Sequence, residues 1–515
     1  MSGPLGFHVS ALWPHLVALY CMTLLPLAVG LAPIIAIIES VYVMTGREIW
    51  KQAARFWGKL FGIILLTWAM GSIVLAILYI LDSAPLTQYV HGTPSPALIA
   101  FFLPFLLAFA WLLWSWFRDW WNPHRVRHLL VTWLWVPLFG IAVFKVAVGY
   151  GLLDNPAGVE LDPGSLQVWI YDVPALLLNP AAQSRFVHLT GACYLTAATW
   201  VLSVSAWYLL RDRNVRIARR SLTVAASFGL AAALSLAVLG DRSGYGASPG
   251  QQMRIAAIAA EWNTQAAPAP FTIFGFPDSG HRTTRMSVNL PWALGWGATH
   301  SWRKAVPGLD ELESVNESRI RDGISAFTTL DTPWANPSGL SGPVFDSEDA
   351  PNFGYALLLL RSTSRPAYAN DDQVAAAARS TIPDVPLLFW SFRFMALLGV
   401  YSIVLFGWAF VLASRRRLEK RAFLRVALWS LPLPWIAGAL GWIVSEAGRG
   451  PWLLDGLLPV TETYASRSAV VIGSVACLGI AVIYAIGMVL LVRLVRRGPE
   501  ELKFWPAESA QARKY

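Results

Sequence analysis

Long apolar runs separated by short polar stretches set the pattern of the chain. Runs near or above the roughly 20 residues needed to cross a bilayer recur. They fall at roughly 14–43, 57–81, 95–117, 127–151, 186–210, 217–240, 388–413, 421–446 and 469–494. This predicts an all-α polytopic membrane protein with nine transmembrane helices, because a helix satisfies its own backbone in lipid. Pro14, Pro26 and Pro33 predict a kink or tilt in the first span. One long polar insertion breaks the pattern and divides the chain into 1–240 with six helices, 241–387 as a loop region, and 388–515 with three helices and a tail. The insertion is rich in Pro, Gly, Ser and Asp, with helix-prone pieces such as Val374–Ser380. It reads as a partly ordered lobe and not as an independent domain. Asn316-Glu317-Ser318 matches a glycosylation sequon, a pattern short enough to arise by chance. No internal repeat is evident.

Composition agrees with a membrane protein: 56% of residues are hydrophobic and 14% charged, against ~25% charged in soluble domains. The net charge of +9 sits in alternate loops and does not point to nucleic acid. Arg47, Lys51, Arg55 and Lys59 follow span one; Arg118, Arg125 and Arg127 follow span three. Arg211, Arg213, Arg216, Arg219 and Arg220 follow span five, and Arg415, Arg416, Arg417, Lys420 and Arg421 follow span seven. Arg493, Arg496, Arg497, Lys503, Arg513 and Lys514 follow span nine. By the positive-inside rule the N-terminus is outside, the C-terminus inside, and the insertion extracytoplasmic. The N-terminus lacks a basic leader region, so the first run reads as a retained helix. Cys21, Cys193 and Cys477 all lie in apolar runs without metal-type spacing, which argues against a disulfide framework.

Intramembrane polar groups are costly, so each is a candidate for function. His188 and Met395 lie a few residues inside spans five and seven from the same face. An imidazole and a thioether form an axial pair for low-spin haem; a hydrogen-bonded interfacial His and a gap-filling Met are the alternative. Glu446 and Arg449 close span eight, either as an ion pair or as a carboxylate ligand and propionate clamp. Arg393 is a second candidate propionate clamp, or a head-group anchor. Glu39, beside a basic loop, reads as a solvated acid. In the insertion, Arg254, Glu261 and Trp262 supply what a quinol ring requires: an aromatic wall, a hydrogen-bond donor and a proton acceptor. Glu261 has a solvated alternative.

Four stretches give the chain a family resemblance: IESVYVMTGREIWKQAARFWGKLFGI (38–63), RFVHLTGACYLTAATWVLSVSAWYLL (185–210), GDRSGY…EWNTQAAPAPFTIFGFPD (240–278), and SFRFMALLG (391–399) with LPLPWIAGALGWIVSEAGRGPW (431–452). Together with IRDGISAF and the nine-span layout, they resemble subunit I of the cytochrome bd quinol oxidases. The resemblance implies that His188 and Met395 are the axial ligands of a low-spin haem b. It implies that residues 240–278 open the quinol loop, with Arg254 in place of a quinol-associated Lys. It implies that Glu446 ligates a high-spin haem b, and that Arg449, Pro451 and Trp452 form the GRxPW segment. It further implies a second bd-type subunit as partner, either subunit II-like or another subunit I-like chain, and a bacterial-type cytoplasmic (inner) membrane.

The departures from the family are concentrated on the oxygen side, with one more in the quinol loop. Cys21 stands where a haem-ligating His is expected, Ala11 for an Arg and Ala76 for an acid. Pro96 and Pro104 replace two glutamates of span three, and Ala259 replaces the acid paired with the quinol-loop base. A buried Cys without a neighbouring cation stays a thiol and is a poor haem ligand; His8 and His15 belong to the outer end of the span. The expected function is therefore quinol-oxidising electron transfer within a respiratory complex: low-spin haem b kept, the dioxygen site degenerate, haem d absent. The alternatives are a conventional quinol:dioxygen oxidase subunit I, and a non-catalytic structural partner.

Overall fold

The apolar runs are helices in the computed structural model, which describes residues 9–81, 90–91, 95–119, 124–162, 167–240, 249–299, 301, 303–330, 352–363, 365–460 and 467–499. The first six long helices are α1 (Val9–Thr45), α2 (Glu48–Leu81), α3 (Ser95–Asp119), α4 (Arg125–Asp154), α5 (Pro180–Leu210) and α6 (Val215–Gly240). The insertion contributes α7 (Pro249–Ala259), α8 (Leu309–Leu330) and α9 (Asp371–Arg379). The chain returns through α10 (Val385–Ser414), α11 (Arg421–Trp429), α12 (Leu433–Ala447) and α13 (Arg467–Arg497). By length and apolar character, 8 spans are long enough to cross a membrane among the described residues. The third expected span is α3, whose described apolar stretch is the shorter Leu106–Arg118. The expected span at 421–446 is the apolar stretch Arg421–Ala447, built of two helices, α11 and α12, with a short turn between them. Pro432 caps α12 and Pro434 falls in its first turn, where a missing backbone donor costs little.

α1 and α5 are the inner helices. α1 packs on α2, α4 and α5, and α5 packs on α4, α6 and α11. Leu24, Leu27, Leu31, Ile34, Ile35 and Ile38 of α1 are buried, as is nearly every residue of α5 from Leu195 to Leu209. Aromatic edges bind the flanking helices: Phe61 of α2 meets Trp116 of α3 at 5.4 Å and Trp135 of α4 at 5.7 Å. Buried polar atoms find partners across helices, as Trp57 Nε1 does on Ser221 Oγ at 2.8 Å.

Glu39 is not the solvated acid expected from its basic neighbourhood. It is 5% exposed, because it lies on the inner helix facing α4. Its carboxylate pairs with His128 Nδ1 and accepts from Thr132 Oγ1 at 2.7 Å. Trp116 stacks on the His128 ring and donates to Thr132 at 3.0 Å.

The described part of the insertion is ordered by contact with α10. Met253, Ala256, Ala257 and Ala260 of the α7 region join Trp262, Leu309 and Leu312 against Val385, Leu388 and Phe389 of α10. Three short strands, β1 (Val90–His91), β2 (Val159–Asp162) and β3 (Gln167–Ile170), form a small sheet in the order β1-β3-β2. An antiparallel hairpin, β4 (Phe271–Asp278) and β5 (Thr283–Leu290), lies beside α10 through β4. The expected helical piece near Val374 is α9, started by an Asn370–Gln373 capping box. The short hairpin β6 (Trp452–Leu454) and β7 (Leu458–Pro459) follows α12.

Candidate functional site

The insertion lies over one end of the bundle, and the candidate residues gather there. α7 stops at Ala259. Ala260 then adopts a left-handed backbone with φ 56°, which turns Glu261 back so that its N–H donates to Ala256 O at 2.9 Å. Leu309 N donates to Glu261 O at 2.9 Å and Asp310 N to Trp262 O at 3.0 Å, fixing this corner to the start of α8. Glu261 is 6% exposed, so the solvated reading fails: the corner folds the carboxyl inward. Desolvation pushes this carboxyl up to about 7, against the opposing effects of the Gln265 hydrogen bond and the Arg393 charge. An acid poised there can accept a proton near neutral pH. Trp262 is buried, and its indole N–H donates to Thr284 Oγ1 at 3.1 Å.

Arg393 docks the insertion onto α10. It donates to Ile258 O and Phe389 O at 2.8 Å, to Ile273 O at 2.9 Å, and to Thr272 O. Its guanidinium also lies over the Phe389 ring. Four carbonyls from α7, β4 and α10 take its donors, a docking role that spacing along the chain does not reveal.

A second cluster joins α4, α5, α7 and the end of α12 around Asp154, the last residue of α4. Asp154 pairs with Arg185 of α5 and with Arg254 Nη1 at 3.4 Å, and its Oδ1 lies 3.8 Å from Arg449 Nη1. Arg449 Nη2 donates to Glu446 Oε2 at 2.7 Å, and Arg185 Nη1 to Ser445 Oγ at 2.9 Å. Both readings of the Glu446–Arg449 pair survive this geometry: one oxygen is ion-paired, while Oε1 is buried without a hydrogen-bond partner. Arg449 Nε is likewise buried and unbonded. Sequence reasoning missed Asp154 and Arg185. The available signal was an acid at the basic-poor end of span four, and an Arg three residues before His188.

The structure gives His188 and Met395 different protein neighbours. The His188 ring faces the end of α6, where a Cβ at Gly240 would lie 3.6 Å from Nδ1. Nδ1 is buried and takes no hydrogen bond, unlike a satisfied core histidine. A Cβ at Gly441 of α12 would lie 2.9 Å from Met395 Sδ. α5 and α10 both pack along α6, and α12 lies against α10, α5 and α1 without one fully buried side chain. An orphaned imidazole nitrogen and a thioether are donors of the kind a low-spin haem takes. The orphaned Glu446 Oε1 fits a second ligand in the same way.

Trp452 is 4% exposed and meets Tyr355 edge-on at 4.9 Å, so it braces β6 against the insertion. Ala259 is fully buried. Pro104 lies within α3 and is exposed. His8 and the side chains of Ala11, His15, Cys21, Ala76 and Pro96 lie outside the described residues.

The chain is 34% identical over 501 residues to cytochrome bd-II ubiquinol oxidase subunit 1 of Escherichia coli (strain K12), covering 95% of this chain and 96% of that one. It is 24% identical over 494 residues to cytochrome bd ubiquinol oxidase subunit 1 of Bacillus subtilis (strain 168), covering 94% and 92%. The fold matches the bd oxidase of Geobacillus thermodenitrificans with a TM-score of 0.72 at 19% identity, over 96% of this chain and 100% of that one. Residues 13–499 match the family described as cytochrome bd terminal oxidase subunit I, and with the multi-helix membrane fold, the docked insertion and near-full-length relatives this chain belongs to that family.

Proposed function

We propose that this chain is the quinol-oxidising electron-transfer subunit of a bd-type respiratory complex. The observation that supports the reading is the buried, unbonded Nδ1 of His188, with Met395 as the second donor in the reading. His188 and Met395 would hold a low-spin haem b, and Glu446 a high-spin haem b. Bound haem supplies one-electron acceptance. The chain's own residues do the rest. Quinol sits along α7, between Arg254 and the corner that carries Glu261 and Trp262. Glu261 takes the proton from the quinol hydroxyl, since its carboxyl is poised near neutrality. Arg393 keeps the insertion seated on α10, and Arg449 fixes one oxygen of Glu446. The insertion is extracytoplasmic, with the N-terminus outside and the C-terminus inside. The partner is a second bd-type membrane subunit. His188→Ala should abolish the low-spin haem signal in reduced-minus-oxidised spectra of the purified complex. An unchanged spectrum moves the chain to the structural-partner class.

The dioxygen side supports a narrower activity. Proton delivery and a second haem ligand would fall to Cys21, Ala76, Pro96 and Pro104, none of which is an acid or an imidazole. Glu446 is the remaining oxygen-side ligand, so haem d and rapid dioxygen reduction are absent from this subunit. The conventional oxidase reading draws support from near-full-length likeness to a ubiquinol oxidase subunit. A haem d band in the purified subunit, with quinol-driven oxygen uptake lost in Glu446→Ala, would establish that reading instead.

A further inference from the structure

We propose that Asp154 is a positioning residue for quinol oxidation, fastening α7 through Arg254 to the bundle end that carries His188 and Glu446. The proposal rests on the reading that the insertion takes quinol. Asp154 is 4% exposed. Its two oxygens meet guanidiniums from three segments that are distant in sequence: Arg185 on α5, Arg254 on α7 and Arg449 beyond α12. Arg254 has no other described polar partner, and its stem lies on Gly448, where a Cβ would be 2.6 Å from Arg254 Cδ. Gln251, one turn earlier on the same face of α7, donates to the Asp154 backbone carbonyl at 3.4 Å. Residue 154 therefore grips α7 twice, by side chain and by backbone.

The same carboxylate touches the neighbours of both candidate haem ligands. Arg185 lies three residues before His188 and Arg449 three after Glu446, one helical turn in each case. Glu446 is paired to Arg449. Asp154 is the one described acid that pairs with Arg185 or Arg254. Loss of its charge leaves Arg254 uncompensated, and the polar hold on α7 is then Gln251 and the Arg393 contact at Ile258 O, beside its apolar packing on α10. Arg254 would leave its place beside bound quinol, while Glu261 at the other end of α7 stays pinned to α8. The consequence is weakened binding with an intact proton-accepting corner.

The test uses the full-length chain in its complex, with Asp154→Asn, Arg254→Gln and the double variant. Amide exchange across Pro249–Ala259 should rise about tenfold in Asp154→Asn. The half-saturating quinol concentration for haem reduction should rise about tenfold, with the saturated rate changed less than about twofold. The double variant should be no worse than Arg254→Gln alone, because Asp154 acts through Arg254. Unchanged exchange in Asp154→Asn, or additive losses in the double variant, overturns the proposal. Should Asp154→Asn fail to fold, Arg254→Gln removes the same tether with Asp154 intact and must give the same two changes; wild-type values there overturn it. A wild-type complex that quinol does not reduce sinks the functional reading instead, while the exchange measurement still decides the tether.

Discussion

Replacing Glu261 by Gln removes a buried carboxyl while keeping its shape, and its effect can be worked from the corner that holds it. Glu261 is folded inward by the left-handed Ala260 and is 6% exposed. Desolvation raises its carboxyl to about 7 from an ordinary 4.5, although Gln265 and Arg393 pull the other way. If ionised Glu261 accepts the quinol proton, the rate follows the carboxylate fraction. That fraction is about one-tenth at pH 6 and about nine-tenths at pH 8. Haem reduction by quinol, followed in a stopped-flow spectrometer, should therefore quicken about tenfold between those pH values. Glu261→Gln should lower the rate at pH 8 by about 100-fold or more and flatten the profile, with haem content unchanged. A variant that keeps both the wild-type rate and its pH dependence refutes the assignment. The same shift has a structural corollary. The buried site favours the protonated acid, so its stabilising contribution is full below the ordinary 4.5 and is lost as pH rises through about 7. Amide exchange at the Glu261 corner should increase over that window.

Three further outcomes are expected. A reporter fused after Asp278 should be active only in its exported form; a working cytoplasmic reporter at that site overturns the orientation. Gly229→Ala sets a Cβ 2.1 Å from Cε1 of the fully buried Phe406, so the ring must give way within its packed site; thermal unfolding of the complex should show a loss of about 1–3 kcal/mol, and an unchanged midpoint would refute that packing. Glu39→Ala leaves His128 and Thr132 without their carboxylate in the bundle interior. It should cost about 3–5 kcal/mol, whereas Glu39→Gln, which keeps an acceptor, should cost less; equal losses would deny the hydrogen-bonded cluster.

The apolar pattern alone determined the class of fold, since runs of this length have few options in lipid other than helices. It also marked out the insertion, and the Ala-rich composition near Val374 pointed to the helix there. His188, Met395, Glu446 and Arg449 were legible as candidates because polar groups within apolar runs are conspicuous. The tertiary structure decided what those groups touch. Glu39 and Glu261 have neighbourhoods that look solvated along the chain, yet packing turns both inward, one towards α4 and one behind a left-handed corner. The break between α11 and α12 depends on how Pro432 and Pro434 are used, which hydropathy averages away. Arg393 reads as a membrane-edge cation until four carbonyls, two of them from β4, are seen to converge on it. Asp154 is the clearest case. One acid at the basic-poor end of a span is a weak signal, and its meaning comes from three arginines at positions 185, 254 and 449. Charge pairing acts through space at a few ångströms, so only the folded chain could bring them to the same carboxylate.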